Sequence, residues 1–237
     1  MAITHSMSTR ILVNELAASA KLRSVTAQAS RALGDVTAFT DEGNKWIPGL
    51  HSGTFSLEGM FQDDGLLTEL KNRMTGVGSD LQVSAGFAGF DAGSPVAMAV
   101  GSVQTYSIAS SVTEPVSFTV ESPSDERVDL GHSLHSHTAE TTTGNGSAVD
   151  NTDPTTNGGA GVLHVTGVSG TTPTLNVKIQ HSTDNSVWVD LITFTQATAA
   201  TSERLTVTGT VNRYVRAIHT IAGTSPSFTY VVAFARR

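Results

Sequence analysis

Apolar residues recurring at every second position are what most restrict this chain. Phe55, Leu57 and Phe61 fall on one side of a stretch whose other side is Thr54, Ser56 and Glu58. Leu175, Val177 and Ile179 alternate in the same way with Asn176, Lys178 and Gln180. A period of two is that of a half-buried strand, because successive side chains of a strand point to opposite faces. The second half carries six such runs: Gly161–Val168, Leu175–His181, Trp188–Thr195, Leu205–Thr208, Arg213–Ile221 and Phe228–Ala235. Gly, Pro, Asn, Asp or Ser separates each from the next. Short strands with regular turn signals predict an antiparallel sandwich. The 33 threonines suit this, since β-branched side chains favour a pleated, half-buried surface.

One segment departs from that period. Gly65–Thr75 places Leu66, Leu67, Leu70 and Met74 at helical spacing, with Asp63 or Asp64 as N-cap and Gly76 as terminator. Glu15–Leu33 reads both ways. Its Ala, Leu, Lys and Arg content favours helix, yet residues 22–30 also alternate as a strand. The composition shifts at residues 141–161, which are rich in Thr, Asn and Gly and hold no aromatic residue. Such a stretch reads as a connector or long surface loop. The predicted organisation is therefore a first domain over 1–140, a connector over 141–160, and a β-sandwich over 161–237. A chain of 237 residues holds one large domain or two small ones.

Charge narrows the function. Residues 1–140 carry 16 acidic and 8 basic side chains; residues 141–237 carry 5 and 6. An acidic first half is the wrong sign for gripping phosphates, although it suits a surface that nucleic acid must pass without sticking. The chain has no cysteine, which removes disulfides, thiolate metal sites and cysteine nucleophiles. No apolar run approaches the ~20 residues of a membrane span, and no secretory leader pattern opens the sequence. The expectation is a soluble protein made in a cytoplasm.

Few residues invite chemistry. His132, His135 and His137 form a tract in which the last two would share a strand face. Two imidazoles and a carboxylate can hold zinc, but no acidic residue stands at a motif-like spacing, so a structural or exposed role is the stronger reading. Glu121–Glu126 reads as a solvated hairpin tip around Pro123. Trp188 follows a polar turn, where an indole either packs at a sandwich edge or stacks on a sugar. There is no phosphate loop, nucleophile elbow or H-E-x-x-H pair. No cofactor, metal or catalytic residue is expected.

Several segments, in order, resemble the major tail tube proteins of long, flexible-tailed bacteriophages. They are Thr9–Leu16, the loop and strand from Phe39 through Trp46, Ile47, Pro48, Gly49 and Leu50 to Leu57, the helix Gly65–Thr75, and Val116–Leu134. The resemblance covers roughly residues 9–140, and the remainder looks like a β-sandwich appended to phage tail proteins. It implies a mainly β fold: a tail-tube-type sandwich or split barrel with one flanking helix, followed by a second antiparallel sandwich. It also implies strand rather than helix within Glu15–Leu33 and a closing hairpin at Val116–Leu134. Six copies would form a ring, and rings would stack into the conduit for DNA ejection. Phe39, Trp46, Ile47, Pro48 and Leu50 would then bridge subunits or rings, while Glu58 and Asp80 are candidates for an acidic lumen. The implied partners are the chain itself, tape measure, tail terminator and distal tail proteins, and DNA in transit, without a membrane. The implied location is the virion tail, assembled in the host cytoplasm. The competing reading is a virion surface or decoration protein whose C-terminal sandwich binds carbohydrate through Trp188.

Overall fold

The computed structural model describes residues 6–62, 65–76 and 80–237, so the expected caps Asp63 and Asp64 lie outside the described residues. In chain order the strands are β1 Arg10–Val13, β2 Leu16–Ala17, β3 Leu22–Asp35, β4 Trp46–Met60, β5 Leu81–Gly86, β6 Pro95–Gly101, β7 Thr105–Ala109 and β8 Ser117–Pro123. They continue with β9 Asp129–Glu140, β10 Gly144–Asn145, β11 Val149–Asp150, β12 Gly159–Ser182, β13 Val189–Thr193, β14 Thr201–Val207 and β15 Tyr214–Arg236. Helix α1 is Gly65–Met74. The chain is mainly β, as its alternation predicts.

Two compact units result. One comprises Leu22–Leu81 and Ala99–Val128; the other comprises Met1–Lys21, Gln82–Met98 and Asp129–Arg237. This division differs from the boundary expected at 141–160. The reason is strand pairing: β9 is laddered to β15, from Phe228↔Glu140 to Phe234↔His132. The chain ahead of the Thr/Asn/Gly-rich stretch is therefore part of the same sheet as the chain beyond it.

The first unit, here the hairpin unit, holds a four-stranded antiparallel sheet in the order β3-β4-β8-β7. Alternation sorts its two faces as expected. Phe55 and Leu57 on β4 and Phe118 and Val120 on β8 are buried, each side chain contributing roughly 1.5–3 kcal/mol relative to exposure. Phe61 stays exposed, just past the end of β4. Helix α1 buries Leu66, Leu67 and Leu70, but Met74 at its last turn is exposed, unlike the predicted stripe. Gly76 ends the helix at φ +77°, the left-handed conformation that favours glycine there. The helical preference of Glu15–Leu33 is overridden from Leu22 onward, because β3 finds a complete ladder on β4. The hairpin implied at Val116–Leu134 does not form: β8 pairs with β4 and β7, whereas β9 pairs with β6 and β15. The acidic stretch is likewise no hairpin tip, since Glu121–Pro123 lie within β8 and Ser124 bridges to Gly101.

The second unit, here the sandwich unit, is built around one long ribbon. Strands β12 and β15 pair from Gly159↔Arg236 to Ser182↔Tyr214, with register shifts between residues 165 and 174. At those shifts Gly170 and Gly223 take φ of +113° and +124°, and Thr172 and Ser225 are also left of the usual region at +49° and +48°. The ribbon bends there, and both halves feed one core. Leu163, Val165, Phe228 and Tyr230 come from one half, and Leu175, Val177, Ile179 and Val215 from the other. Four of the six runs in the sequence are thus halves of two bent strands. A second core joins Leu12 of β1, Phe90, and Val96 and Met98 of β6 to Val162 of β12 and Val231 and Ala233 of β15.

A buried polar knot ties the N-terminal strands to this ribbon. His164 Nδ1 donates to the Asn14 carbonyl at 2.6 Å, and its Nε2 accepts from the Ser84 hydroxyl at 2.8 Å. Gln82 donates its backbone N–H to Asn14 Oδ1 at 2.8 Å and its side-chain amide to the Leu163 carbonyl at 3.3 Å. Each bond is to a group that would be costly to bury alone.

Candidate assembly surface

The distal half of the β3–β4 hairpin is covered on neither face. Strand β8 pairs with β4 only from Thr54 to Met60. The ladder between β3 and β4 runs on past that point to Asp35↔Trp46. Beyond Thr54 the hairpin is a two-stranded ribbon, an arrangement marginal in water unless something packs on it. Its residues are apolar all the same. Leu50 is 86% exposed, Leu33 60%, Ile47 55% and Trp46 51%, and Phe39 at the tip is fully exposed.

The sequence places Trp46–Leu50 in the loop, whereas the structure places them in β4. Pro48 is tolerated because it lies at a register shift between Arg31 and Leu33, where the ladder has slack for a residue without an N–H. Leu33 and Val36 join this apolar group from β3 and the tip. The helix-like composition of Glu15–Leu33 hid Leu33; the alternation of residues 22–30 was the signal that could have revealed it.

The tip is shaped although it is exposed. Asp35 Oδ1 accepts from the Thr37 N–H at 2.8 Å and from its hydroxyl at 2.6 Å. The Lys45 N–H donates to Thr37 Oγ1 at 2.9 Å, and the Val36 N–H to the Lys45 carbonyl at 2.9 Å. Asp41 accepts from the Ala38 N–H and pairs with Lys45. Both carboxyls sit below the ordinary range, Asp35 through its Thr37 bonds and Asp41 through Lys45 and then Ala38.

Among the described residues, the sheet also has two open edges. Strand β3 borders it for 14 residues and β7 for 5. Exposed edges of this length invite pairing with another chain unless something blocks them. Between them the solvent-side face presents Ser24, Ser56, Glu58, Thr119, Glu121, Thr105 and Ser107, paired across in register. Glu58 is therefore placed as the alternation predicts. Glu121 joins it, a residue that reads in sequence as part of a turn. Asp80 lies outside this sheet, exposed just before β5.

The remaining candidates are dispersed. A bulge in β9 puts Ser136 and His137 together opposite Val231, since Val232 pairs with His135 and Tyr230 with Thr138. His135 consequently stacks on Tyr230 at 4.1 Å, while His137 Nε2 meets Thr166 Oγ1 at 2.8 Å. The two do not share neighbours as a metal pair would, and no group of three His, Asp or Glu able to hold a metal occurs among the described residues. Trp188 is half-buried just before β13, with the Arg216 guanidinium 4.1 Å over its ring. Arg216 is held there by Gln180 Oε1 at 2.9 Å, so a cation already occupies one face of the indole.

Solved structures similar to this chain include a gene transfer agent virion, a tail tube and a hub adsorption apparatus protein. A chain from the virion of a native gene transfer agent particle is 15% identical over 54% of this chain and 98% of its own, with a TM-score of 0.43. The SPP1 tail tube is 7% identical over 53% of this chain and 78% of its own, at 0.44. The SPP1 Dit protein, described as a hub adsorption apparatus protein, is 10% identical over 96% of this chain and 98% of its own, at 0.38. No protein-family model matches the chain, and no curated protein does.

Proposed function

We propose that this chain is a structural subunit of a phage tail tube, self-assembling into stacked six-membered rings that conduct DNA. The observation that carries this reading is the uncovered apolar ribbon projecting from a sheet with both edges open. Pairing β3 of one copy with β7 of the next consumes both edges in a head-to-tail contact, which closes into a ring if the rotation is right. The ribbon, with Phe39, Trp46, Ile47, Pro48 and Leu50, then buries its apolar residues on a neighbouring copy or ring. The hydroxyl-rich face bearing Glu58 and Glu121 becomes the lumen wall. Its carboxylates repel passing phosphates, where lysines would hold them. Asp80 is a further candidate at that wall. The role is structural rather than catalytic, in the virion tail, with other tail proteins at the tube ends and inside it.

Electron microscopy of the purified chain across a concentration series tests this. Six-fold rings or stacked tubes are expected, and closed assemblies of another symmetry would overturn the reading. Rings that never stack would indicate a hub rather than a tube. A variant carrying Ile47→Asp and Leu50→Asp separates assembly from folding. Both side chains are exposed, so its urea midpoint is expected to match the parent while rings and tubes are lost. Assembly that survives both charges would remove the ribbon from the interface.

Lumen charge gives a second expectation. Glu58→Lys with Glu121→Lys is expected to leave assembly intact and to confer salt-sensitive DNA binding on the tubes, measurable by co-sedimentation at 50 and 300 mM salt. Equal binding by parent and variant would place these acids elsewhere.

A further inference from the structure

Within the sandwich unit, His135 and His219 sit under the segment that joins β9 to β12. Their rings meet edge to face at 5.6 Å between centroids, and Tyr230 stacks on His135. His219 Nε2 donates to the Thr142 carbonyl at 2.9 Å, and His135 Nε2 lies 3.5 Å from Glu140 Oε1. In both rings that leaves Nδ1 as the bare nitrogen. Both Nδ1 atoms and the Tyr230 hydroxyl are buried without a hydrogen-bond partner. The segment above is attached to β15, where the Ile221 N–H donates to Thr143 Oγ1 at 3.1 Å. β10 contributes two pairs, Gly144↔His219 and Asn145↔Ile218, and Gly146 donates its N–H to the Ala217 carbonyl at 2.7 Å. Gly144 lies flat on the His219 ring, where a Cβ would come within 3.1 Å of Cε1. A polar cavity of about 290 Å³, lined by both imidazoles, Ser136, Glu140, Asn145 and Ser147, opens beside them and gives water a route.

We propose that residues 142–147 are a detachable edge strand, released when His135 beneath takes up a proton. The His135 ring is buried, and neither Glu140 nor the Ser136 and Tyr230 backbone offsets that burial while the segment is closed. Burial, and then the charge of His219, already hold His135 below the ordinary imidazole range, while Glu140 acts in the opposite sense. Tyr230 faces the pair from β15, and Asp91 approaches from the loop before β6, 3.5 Å from Ser136 Oγ. Lifting the segment lets water reach the imidazolium and removes the cost. The far end stays fixed, because Arg213 holds the Asp150 carboxyl down to about 2, and their pair survives mild acid. Release uncovers the β15 edge at Ala217–His219, a row of backbone groups able to pair with another strand.

Amide hydrogen exchange of the full chain at pH 7.5 and 5.0, corrected for intrinsic rates, tests this. Protection at 143–147 and 217–219 is expected to fall tenfold or more at pH 5.0 while β12 amides at 160–165 hold. Equal protection at both pH values overturns the proposal. In His135→Phe with His219→Gln, stacking and the bond to Thr142 are retained without titration, and the pH effect should vanish; if it persists, other groups drive it. Should that variant not fold, ring NMR titration of the parent decides. Opening must share its midpoint with His135, and a midpoint shared with His164 instead overturns the proposal.

Discussion

Asp129→Ala is expected to cost about 3–5 kcal/mol of the stability of the sandwich unit, read as a large fall in the urea midpoint. Its side chain is 1% exposed and receives Arg204 Nη2 at 2.7 Å and the Arg237 fork at 3.1 Å through both Nε and Nη2. Burial pushes this carboxyl up, but the hydrogen bonds to Arg237 and Arg204 outweigh it and the net position is below the ordinary range. The folded state therefore favours the charged form, and this contribution is lost only as the pH falls through the carboxylate range. Truncation leaves two guanidinium groups facing a buried void, and that is where the cost arises. Asp150→Ala is the contrast. Its pair with Arg213 has equally short bonds, but both side chains are over 40% exposed and water screens them. The midpoint should barely move. Equal effects of the two substitutions would mean that burial is not what gives Asp129 its weight.

The second large effect is acid lability through His164. Burial holds its pKa down to about 4, the bond to Asn14 opposing and His137 adding slightly, against 6.5 for a free imidazole. Above pH 6.5 the ring is neutral folded or unfolded, and its contribution is whole. Between 6.5 and 4 the unfolded chain binds a proton that the folded chain refuses, so stability falls as the pH falls. The slope is ~1.4 kcal/mol per pH unit, on the order of 3 kcal/mol across the window. His135, His137 and His181 are also held low, chiefly by burial, and add in the same direction. Urea midpoints at pH 7.5 and 4.5 measure the sum. His164→Gln is expected to be less stable at pH 7.5 yet to lose much of the pH slope. An unchanged slope would assign it to the other histidines.

Much of this fold is written in the alternation of its apolar residues. Phe55 and Leu57 are buried as read, and the strand turn signals of residues 161–237 fall where β12 to β15 start, bend or stop. What alternation does not encode is which distant strand becomes a partner. Nothing local to Leu12 or Met98 says that Val162 and Val231 will cover them, and the Thr/Asn/Gly-rich stretch looks like a domain boundary because its composition is that of a loop. It carries the short strands β10 and β11, and its two sides belong to a single sheet. The assembly candidates were partly visible for the same reason. Trp46, Ile47 and Leu50 stand out as apolar residues in a polar neighbourhood, whereas Leu33 and Glu121 gain meaning only once β3 and β8 are laid against β4. The bulge that parts His135 from His137 depends on register with β15, and no spacing within the tract announces it.

The threading of the sandwich unit has a consequence for synthesis. Chains emerge from the ribosome N-terminus first, and domains generally fold as they appear. The hairpin unit is complete once Val128 is made, with only Gln82–Met98 looped out of it. Leu12 by then has β2 and β5 beside it but lacks the covering apolar face, which comes with β12 and β15. β15 follows every other element in the chain. A nascent chain thus completes the unit bearing its exposed apolar ribbon while the other still awaits its last strand. Growing chains held close together on one message would meet ribbon to ribbon before either is whole, and a holding factor or dilute translation would keep them apart.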